Sequence, residues 1–343
     1  PELRHRMLAA SVLAVLASTR PLLRPSPAGA RHTASGSSTE PPEGGWFDGA
    51  TMGACVVRRH KDGWMMWYSG RPVDFAADVM PIATGYVGVA TSEDGLTWQR
   101  VAGECEKGSC FGPNSADPSA FDSTHVAVGD VSFSAGGLLI MSFFGGGMEA
   151  PTLGTRTLPR GTRMAISFAR SLDGSGMRWE RIEPGPSLQP SEGQLFVGWP
   201  QLVPADVDAR RETDRLYHHA ALPDGKFAIA VATRADSGRW EHLAYVLRAS
   251  DDEAAFDAGG VSARCIVDAP DGEGLLMAYE GQSALRRHAI GLARSVDGLT
   301  WERLGPGPVL RPSLDAGAWD GVSVARPWLV PLDDGSARLY YLG

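Results

Sequence analysis

Two carboxylates sit where carboxylates are uncommon. Asp130 interrupts the apolar run Val128-Gly129-Asp130-Val131, and Glu280 follows the apolar pair Ala278-Tyr279 in the run LLMAYEG. A charge in an apolar strand costs several kcal/mol unless it is paired, so each acid needs either a partner or a task. The task open to two such groups is proton transfer, one giving and one taking; Asp130 and Glu280 are the catalytic candidates. Asp130 serves equally as an ion-pair partner for an arginine on a neighbouring strand, and Glu280 as a rim partner of Arg286 or Arg287. Arg264 and Arg326 occupy matching Ala-Arg steps, and converging guanidiniums recognise anions or neutralise buried acids. His125 and His288 flank the same runs, as ligand contacts or as loop hydrogen-bonders. Trp199 and Gln201, in Gly198-Trp199-Pro200-Gln201, complete the ligand-binding candidates. His218 and His219 are adjacent in a strand pattern, point to opposite faces and cannot chelate one metal together. Neither a metal site nor a cofactor is expected.

The elements that must carry these residues are repeated. TSEDGLTW ends at Trp98, SLDGSGMRW at Trp179, TRADSGRW at Trp240 and SVDGLTW at Trp301. Each copy reads as a small-residue strand, a tight Gly turn and a Trp opening the next strand; the turn Gly supplies positive φ and the Asp bonds the turn backbone. A second repeat precedes each hairpin, at 45–57, 120–133, 194–203, 255–267 and 318–330, followed by an aromatic strand such as MMWYSG or RLYYLG. Start points roughly 60 to 75 residues apart indicate a propeller or an array. Opening strand, aromatic strand, small-residue strand and Trp strand make the four-stranded blade of an all-β propeller, and five openings make five blades. The pairs Phe47-Asp48, Phe121-Asp122, Phe256-Asp257 and Trp319-Asp320 recur around the repeat and therefore read as turn scaffold. The blades are expected over about 46–101, 120–182, 190–243, 255–304 and 318–343. The fifth has two strands before Gly343, so it is expected to be incomplete at the C-terminus. Blade 3 departs from the pattern, lacking the aromatic-Asp pair and carrying the charged insertion DVDARRETD.

The chain has 343 residues, of which 43% are hydrophobic, enough for one large core. Its 42 glycines and 24 prolines suit many short strands and tight turns, and a net charge of −8 argues against nucleic acid as a partner. Four cysteines do not make a disulfide framework. Cys105 and Cys110 could bridge across a loop, but free thiols are the simpler reading, and Cys55 and Cys265 read as small buried apolar groups. No P-loop, Rossmann glycine fingerprint, HExxH or GxSxG is present. Residues 1–45 read as a targeting and low-complexity leader: a basic start, the apolar run LAASVLAVLAS, then a Pro/Ser/Gly-rich stretch. This layout suits a two-part chloroplast address ending in the thylakoid lumen, with secretion as the alternative. The apolar run is shorter than the ~20 residues that span a bilayer, so a membrane partner is expected only if the leader stays uncleaved.

With WDGVSVARPWLV, YYLG and GLARSVDGLTW, residues 46–343 resemble the arabinanase/levansucrase/invertase superfamily, the five-bladed propellers of glycoside hydrolase families 32, 43, 62 and 68. The resemblance implies a carbohydrate or other small polar ligand in a central funnel, with catalytic acids on the innermost strands of blades 1, 2 and 3. Such chemistry needs two carboxyl groups about 5–5.5 Å apart for retention or about 6.5–9.5 Å apart for inversion. At those positions blade 1 has Met52-Gly53-Ala54-Cys55, blade 2 keeps Asp130, and blade 3 has Val197-Gly198-Trp199-Pro200-Gln201. Trp199 suits stacking on a sugar ring, or core packing. The expectation is therefore a glycoside-hydrolase-like propeller that binds or hydrolyses a carbohydrate with degenerate catalytic positions. The alternative is a non-catalytic propeller that docks through one face to a protein complex of an organelle.

Overall fold

The computed structural model describes residues 22–27, 30–34, 37–60, 63–134, 136–205 and 213–343. The leader's apolar run and most of the charged insertion of blade 3 lie outside the described residues. The protein is all-β, and the expected repeat is realised as successive antiparallel sheets. It divides into two compact units, residues 21–200 and residues 201–343, the division falling inside the strand Phe196–Val203.

The 21–200 unit holds blades 1 and 2. Blade 1 consists of Thr51–His60, Gly63–Arg71, Tyr86–Ser92 and Gln99–Val101, paired in that order. Blade 2 consists of His125–Phe133, Leu139–Gly146, Met164–Ser171 and Trp179–Arg181. Their second strands are buried almost throughout, which is why they read as continuous apolar and aromatic runs. Two segments of the expected leader belong to this unit: His32–Ala34 pairs with Ser37–Thr39 and, through Thr33, in parallel with Val101 on the last strand of blade 1. His32 stacks flat on Trp46, with ring centroids 3.5 Å apart, and is buried beside Ser26. Polar composition hid this pairing, because one stacked pair and a short ladder need no apolar run.

The 201–343 unit holds most of blade 3 and all of blades 4 and 5. Blade 3 comprises Phe196–Val203, Arg215–Ala221, Phe227–Arg234 and Trp240–Leu247. Its fourth strand is longer than the sequence pattern indicates, and its pairing is interrupted by two bulges. Blade 4 comprises Gly260–Asp268, Leu275–Gln282, His288–Ser295 and Glu302–Arg303. Blade 5 comprises Ala325–Pro331 and Ala337–Leu342.

Two local devices recur among the blades. In the hairpin of blade 4, one Asp297 oxygen accepts the backbone N–H groups of Leu299 and Thr300, both at 2.8 Å, while Ser295 Oγ accepts from Gly298. Asp94 does the same in blade 1 with Leu96 and Thr97, both at 2.7 Å. The turn glycine is then read by the preceding blade: Trp67 Nε1 donates to Gly176 O and Tyr217 Oη to Gly298 O, each at 2.7 Å. The hairpin Trp packs edge-on against that same aromatic, Trp179 on Trp67 and Trp301 on Tyr217.

The second device uses the aromatic-Asp pair. Asp48 accepts from Tyr68 and Arg100, Asp257 from Tyr279 and Arg303, Asp122 from Arg181, and Asp320 from Tyr341. Each arginine is the second residue after a hairpin Trp, so the blade's last strand is tied to its opening turn. A glycine is required where the Asp meets the second strand, since a Cβ on Gly70, Gly145 or Gly281 would lie 2.6–2.7 Å from the Asp Cβ. These acids are scaffold, as the repeat implied. All four cysteines are free thiols, and Cys265 donates to Leu329 O within the 201–343 unit.

Candidate functional site

In the 21–200 unit, Asp130 lies in the first strand of blade 2, where Gly129 forms a bulge between Val128 and Asp130. Its side chain is 1% exposed, and Arg58 from the first strand of blade 1 donates to Oδ1 at 2.7 Å while also binding Val131 O. The other oxygen, Oδ2, is buried without a hydrogen bond. His125 is wholly buried at the start of the same strand; Nε2 contacts Gly161 O at 3.0 Å and Nδ1 has no hydrogen bond. Burial lowers its pKa to about 4, with Arg71 adding to the effect and the Gly161 contact opposing it. Trp199 has a left-handed backbone, φ 50°, and packs on Phe144 with ring centroids 4.3 Å apart.

In the 201–343 unit, Gln201 is 3% exposed and bridges to blade 4: its amide donates to Ile266 O at 2.9 Å and accepts from Ile266 N–H at 2.8 Å. That is the hydrogen bonding of a peptide group, performed by a side chain. Arg264 is buried and donates to Tyr217 O at 2.8 Å. The sequence match that aligned Arg264 with Arg326 is shifted by one residue in the structure. Arg264 lies opposite Tyr279 and Cys265 opposite Ala278, whereas Trp328 lies opposite Tyr340 and Arg326 falls inside the bulge between Ala325 and Trp328. Both first strands carry a one-residue bulge here; the displacement comes from the hairpin that follows, which leaves six residues between Asp268 and Leu275 but five between Pro331 and Ala337. Arg326 is left-handed, φ 52°, like Trp199, and each precedes a proline.

Glu280 is the hub of this unit. Oε1 accepts from His288 Nδ1 at 2.6 Å, and Oε2 accepts the backbone N–H of Arg326 at 3.0 Å. His288 Nε2 lies 3.0 Å from Gln282 Nε2, so with Nδ1 as the donor to Glu280 the ring accepts at Nε2. The carboxylate's partners are thus His288 and Arg326, not the Arg286 or Arg287 of the sequence expectation. Burial alone raises the Glu280 pKa, but His288, Arg326 and the N–H contact outweigh it and hold the carboxyl below its ordinary value. The equivalent positions are Ser69, Phe144 and Leu342, each preceding the residue that meets the blade's Asp. Blade 2 contributes Phe144 at this position.

His219 is a site residue that the sequence candidates omit; the adjacent pair His218-His219 is the signal that could have found it. It is 4% exposed and packs near Phe227. Burial first, then the charges of Arg264, Arg326 and His218, push its pKa well below the ordinary value. Five strands of this unit thus bring His219, Arg264, Glu280, His288 and Arg326 into one polar cluster. Among the described residues, no group of three or more His, Cys, Asp or Glu side chains is arranged to hold a metal ion.

No protein-family profile matches the chain, and no curated protein matches it in sequence. Solved structures do match. A thermostable family-43 glycoside hydrolase superposes with TM-score 0.58 at 15% identity, covering 84% of this chain and 83% of that one. A structure from the GH130 family of mannoside phosphorylases, which contains glycoside hydrolases that target β-1,2 mannosidic linkages in Candida mannan, gives TM-score 0.63 at 15% identity, covering 93% and 87%. A complex of BT0996 with RGII gives 0.67 at 13% identity, covering 99% and 91%. At such identities the likeness establishes the fold, and function has to be argued from the site. The chain has the glycoside-hydrolase-like β-propeller fold, with family 43, family 130 and related five-bladed propeller hydrolases as its structural neighbours.

Proposed function

We propose that the protein binds a carbohydrate at the polar cluster of blades 3 to 5 and does not hydrolyse it. The observation that carries this reading is the state of Glu280. A general acid must keep its proton near neutral pH, which requires a carboxyl pKa pushed upward. Glu280 is pulled the other way by His288 and the Arg326 N–H, and both of its oxygens are engaged. Asp130 spends one oxygen on Arg58, and the matching runs of blades 1 and 3 hold Met52-Gly53-Ala54-Cys55 and Val197-Gly198-Trp199. The carbohydrate part of the reading is supported by the neighbours' activities, since β-1,2 mannosidic linkages are what the family-130 hydrolases target.

The test is a panel of neutral and acidic oligosaccharides, with thermal melting and reducing-sugar release followed on the same samples. The reading expects a melting shift without release. Release that disappears in Asp130→Asn and in Glu280→Gln would overturn it in favour of a hydrolase using that pair of acids. Silence in both signals across the panel would remove the carbohydrate reading altogether.

A further inference from the structure

We infer that the leader is cut from the protein by a leader peptidase between Ala17 and Leu22, and that the chain from Leu22 onward stays as a structural part of blade 1.

The basis is a third repeat, which leads into each blade. CFGPN (110–114), VLRAS (246–250) and VLRPS (309–313) each precede an aromatic-Asp pair, and SLQPS (187–191) precedes blade 3. LLRPS (22–26) is a further copy, ahead of blade 1 and inside the stretch whose composition reads as leader. It makes the contacts of the other copies. The N–H of the last residue donates to the backbone carbonyl of the blade's Asp: Asn114 to Asp122 O at 3.2 Å, Ser250 to Asp257 O at 3.3 Å and Ser313 to Asp320 O at 3.3 Å. Ser26 donates to Asp48 O at 3.2 Å. The carbonyl two residues earlier accepts from Nη2 of the arginine that closes the blade, Gly112 O from Arg181 at 2.7 Å and Arg248 O from Arg303 at 2.6 Å. Arg24 O accepts from Arg100 in the same way. Residues 22–26 are thus tied into the closure of blade 1.

A cut beyond Ser26 would remove both contacts. It would take the Arg24 carbonyl from Arg100 beside Asp48, whose side chain is wholly buried. A cut beyond His32 would also uncover Trp46, which is 3% exposed, stacks on His32 and donates from Nε1 to Ala30 O at 2.5 Å. Upstream of Leu22 the sequence supplies what a leader peptidase reads, an apolar run followed by the small-residue step Val15-Leu16-Ala17. Water adds across one peptide bond in that window, leaving a carboxylate on the released run and a free α-amine on the domain.

The test begins with protein purified from cells that make it with its full leader, its first residue read by Edman degradation and intact mass. The expected first residue lies between Ser18 and Leu22. An uncut leader, or a first residue outside that window, would overturn the processing site. Proline substitutions then compare the copies in the full chain. Ser26→Pro, Asn114→Pro and Ser250→Pro each remove the N–H that reaches the Asp carbonyl, and each should lower the melting temperature by a few degrees. Unchanged melting in Ser26→Pro, beside losses in the other two, would make residues 22–26 an appendage and overturn their structural role. A second measurement needs no destabilised variant: a sequence-specific protease site is inserted between Pro41 and Pro42 and cut in the folded protein. The N-terminal fragment should co-elute with the domain, or its loss should lower the melting temperature. Release of the fragment with melting unchanged would sink the proposal.

Discussion

Arg303 Nε stands 2.7 Å from Asp257 Oδ2, joining the last strand of blade 4 to the turn that opens it, 46 residues earlier in the chain. The Asp is 1% exposed, and the same oxygen accepts from Tyr279 Oη at 3.0 Å. Blades 1 and 2 repeat the contact with Arg100–Asp48 and Arg181–Asp122. One residue pair therefore closes a whole blade.

Removing one partner of such a pair leaves a buried charge uncompensated. Arg181→Ala should lower the unfolding free energy by about 3 kcal/mol, read from urea denaturation. A change below about 0.5 kcal/mol, the usual size for a surface substitution, would show that the pair is not closing blade 2. Gly281→Ala should destabilise through the same contact by about 1–3 kcal/mol, because its Cβ would meet Asp257 Cβ at 2.7 Å.

His125 gives a pH dependence with a definite sign. Its folded pKa of about 4 lies below the ordinary 6.5, so between these values the unfolded chain binds the proton and the folded chain does not. Stability is fully present above about pH 6.5 and is lost as pH falls toward 4, by on the order of 3 kcal/mol for this residue. His218, whose pKa burial lowers to about 3, acts in the same direction. His125→Gln should flatten the slope of melting temperature against pH in that window; an unchanged slope would remove His125 as a contributor.

The hairpin acids titrate lower. Asp94 and Asp297 are held below the ordinary carboxylate value, Asp94 by the N–H groups of Thr97 and Leu96, and Asp297 by N–H contacts that outweigh burial. Their contribution is present above about pH 4, the unfolded value, and is lost as the pH falls further through the folded values. Asp94→Asn with Asp297→Asn should weaken the acid dependence below pH 4 and leave the histidine window unchanged. Melting curves from about pH 2 to 7 check both parts.

Glu280→Gln replaces an acceptor with an amide that cannot hold His288 Nδ1 and the Arg326 N–H through two anionic oxygens. The expected result is a change in the His288 ring, seen by nitrogen NMR: Nδ1 protonated in wild type, and the Nε2-protonated form gaining population in the variant. Identical His288 spectra would mean that Glu280 does not set the tautomer.

A thiol reagent should find four free thiols after denaturation and no disulfide. In the native protein Cys105 is exposed and should react, slowly because burial of its sulfur raises the thiol pKa, while Cys110 and Cys265 wait for unfolding. Fewer than four thiols in freshly purified, denatured protein would indicate a Cys105–Cys110 bridge.

Much of the architecture was present in the sequence because each blade must solve the same local problem. A tight turn needs Asp-Gly, a closing strand needs Trp, and a buried strand needs an apolar run, so SVDGLTW and LLMAYEG carry their structure in themselves. The Arg two residues after three of the hairpin tryptophans was equally repeated. Its role as the partner of Asp48, Asp122 and Asp257 became visible only once strands far apart in sequence were paired. The tertiary structure alone decided the site. A hairpin turn one residue shorter in blade 5 than in blade 4 shifted Arg326 by one place against Arg264, and a shift of one residue in a strand changes the face on which a side chain lies. It also decided that Gln201 would act as a peptide group for Ile266, that Glu280 would face His288, and that His32–Ala34 and Ser37–Thr39 would extend blade 1. Turns and apolar runs act over a few residues and can be read locally; charge pairing and register depend on which strands meet, and no short stretch of sequence contains both partners.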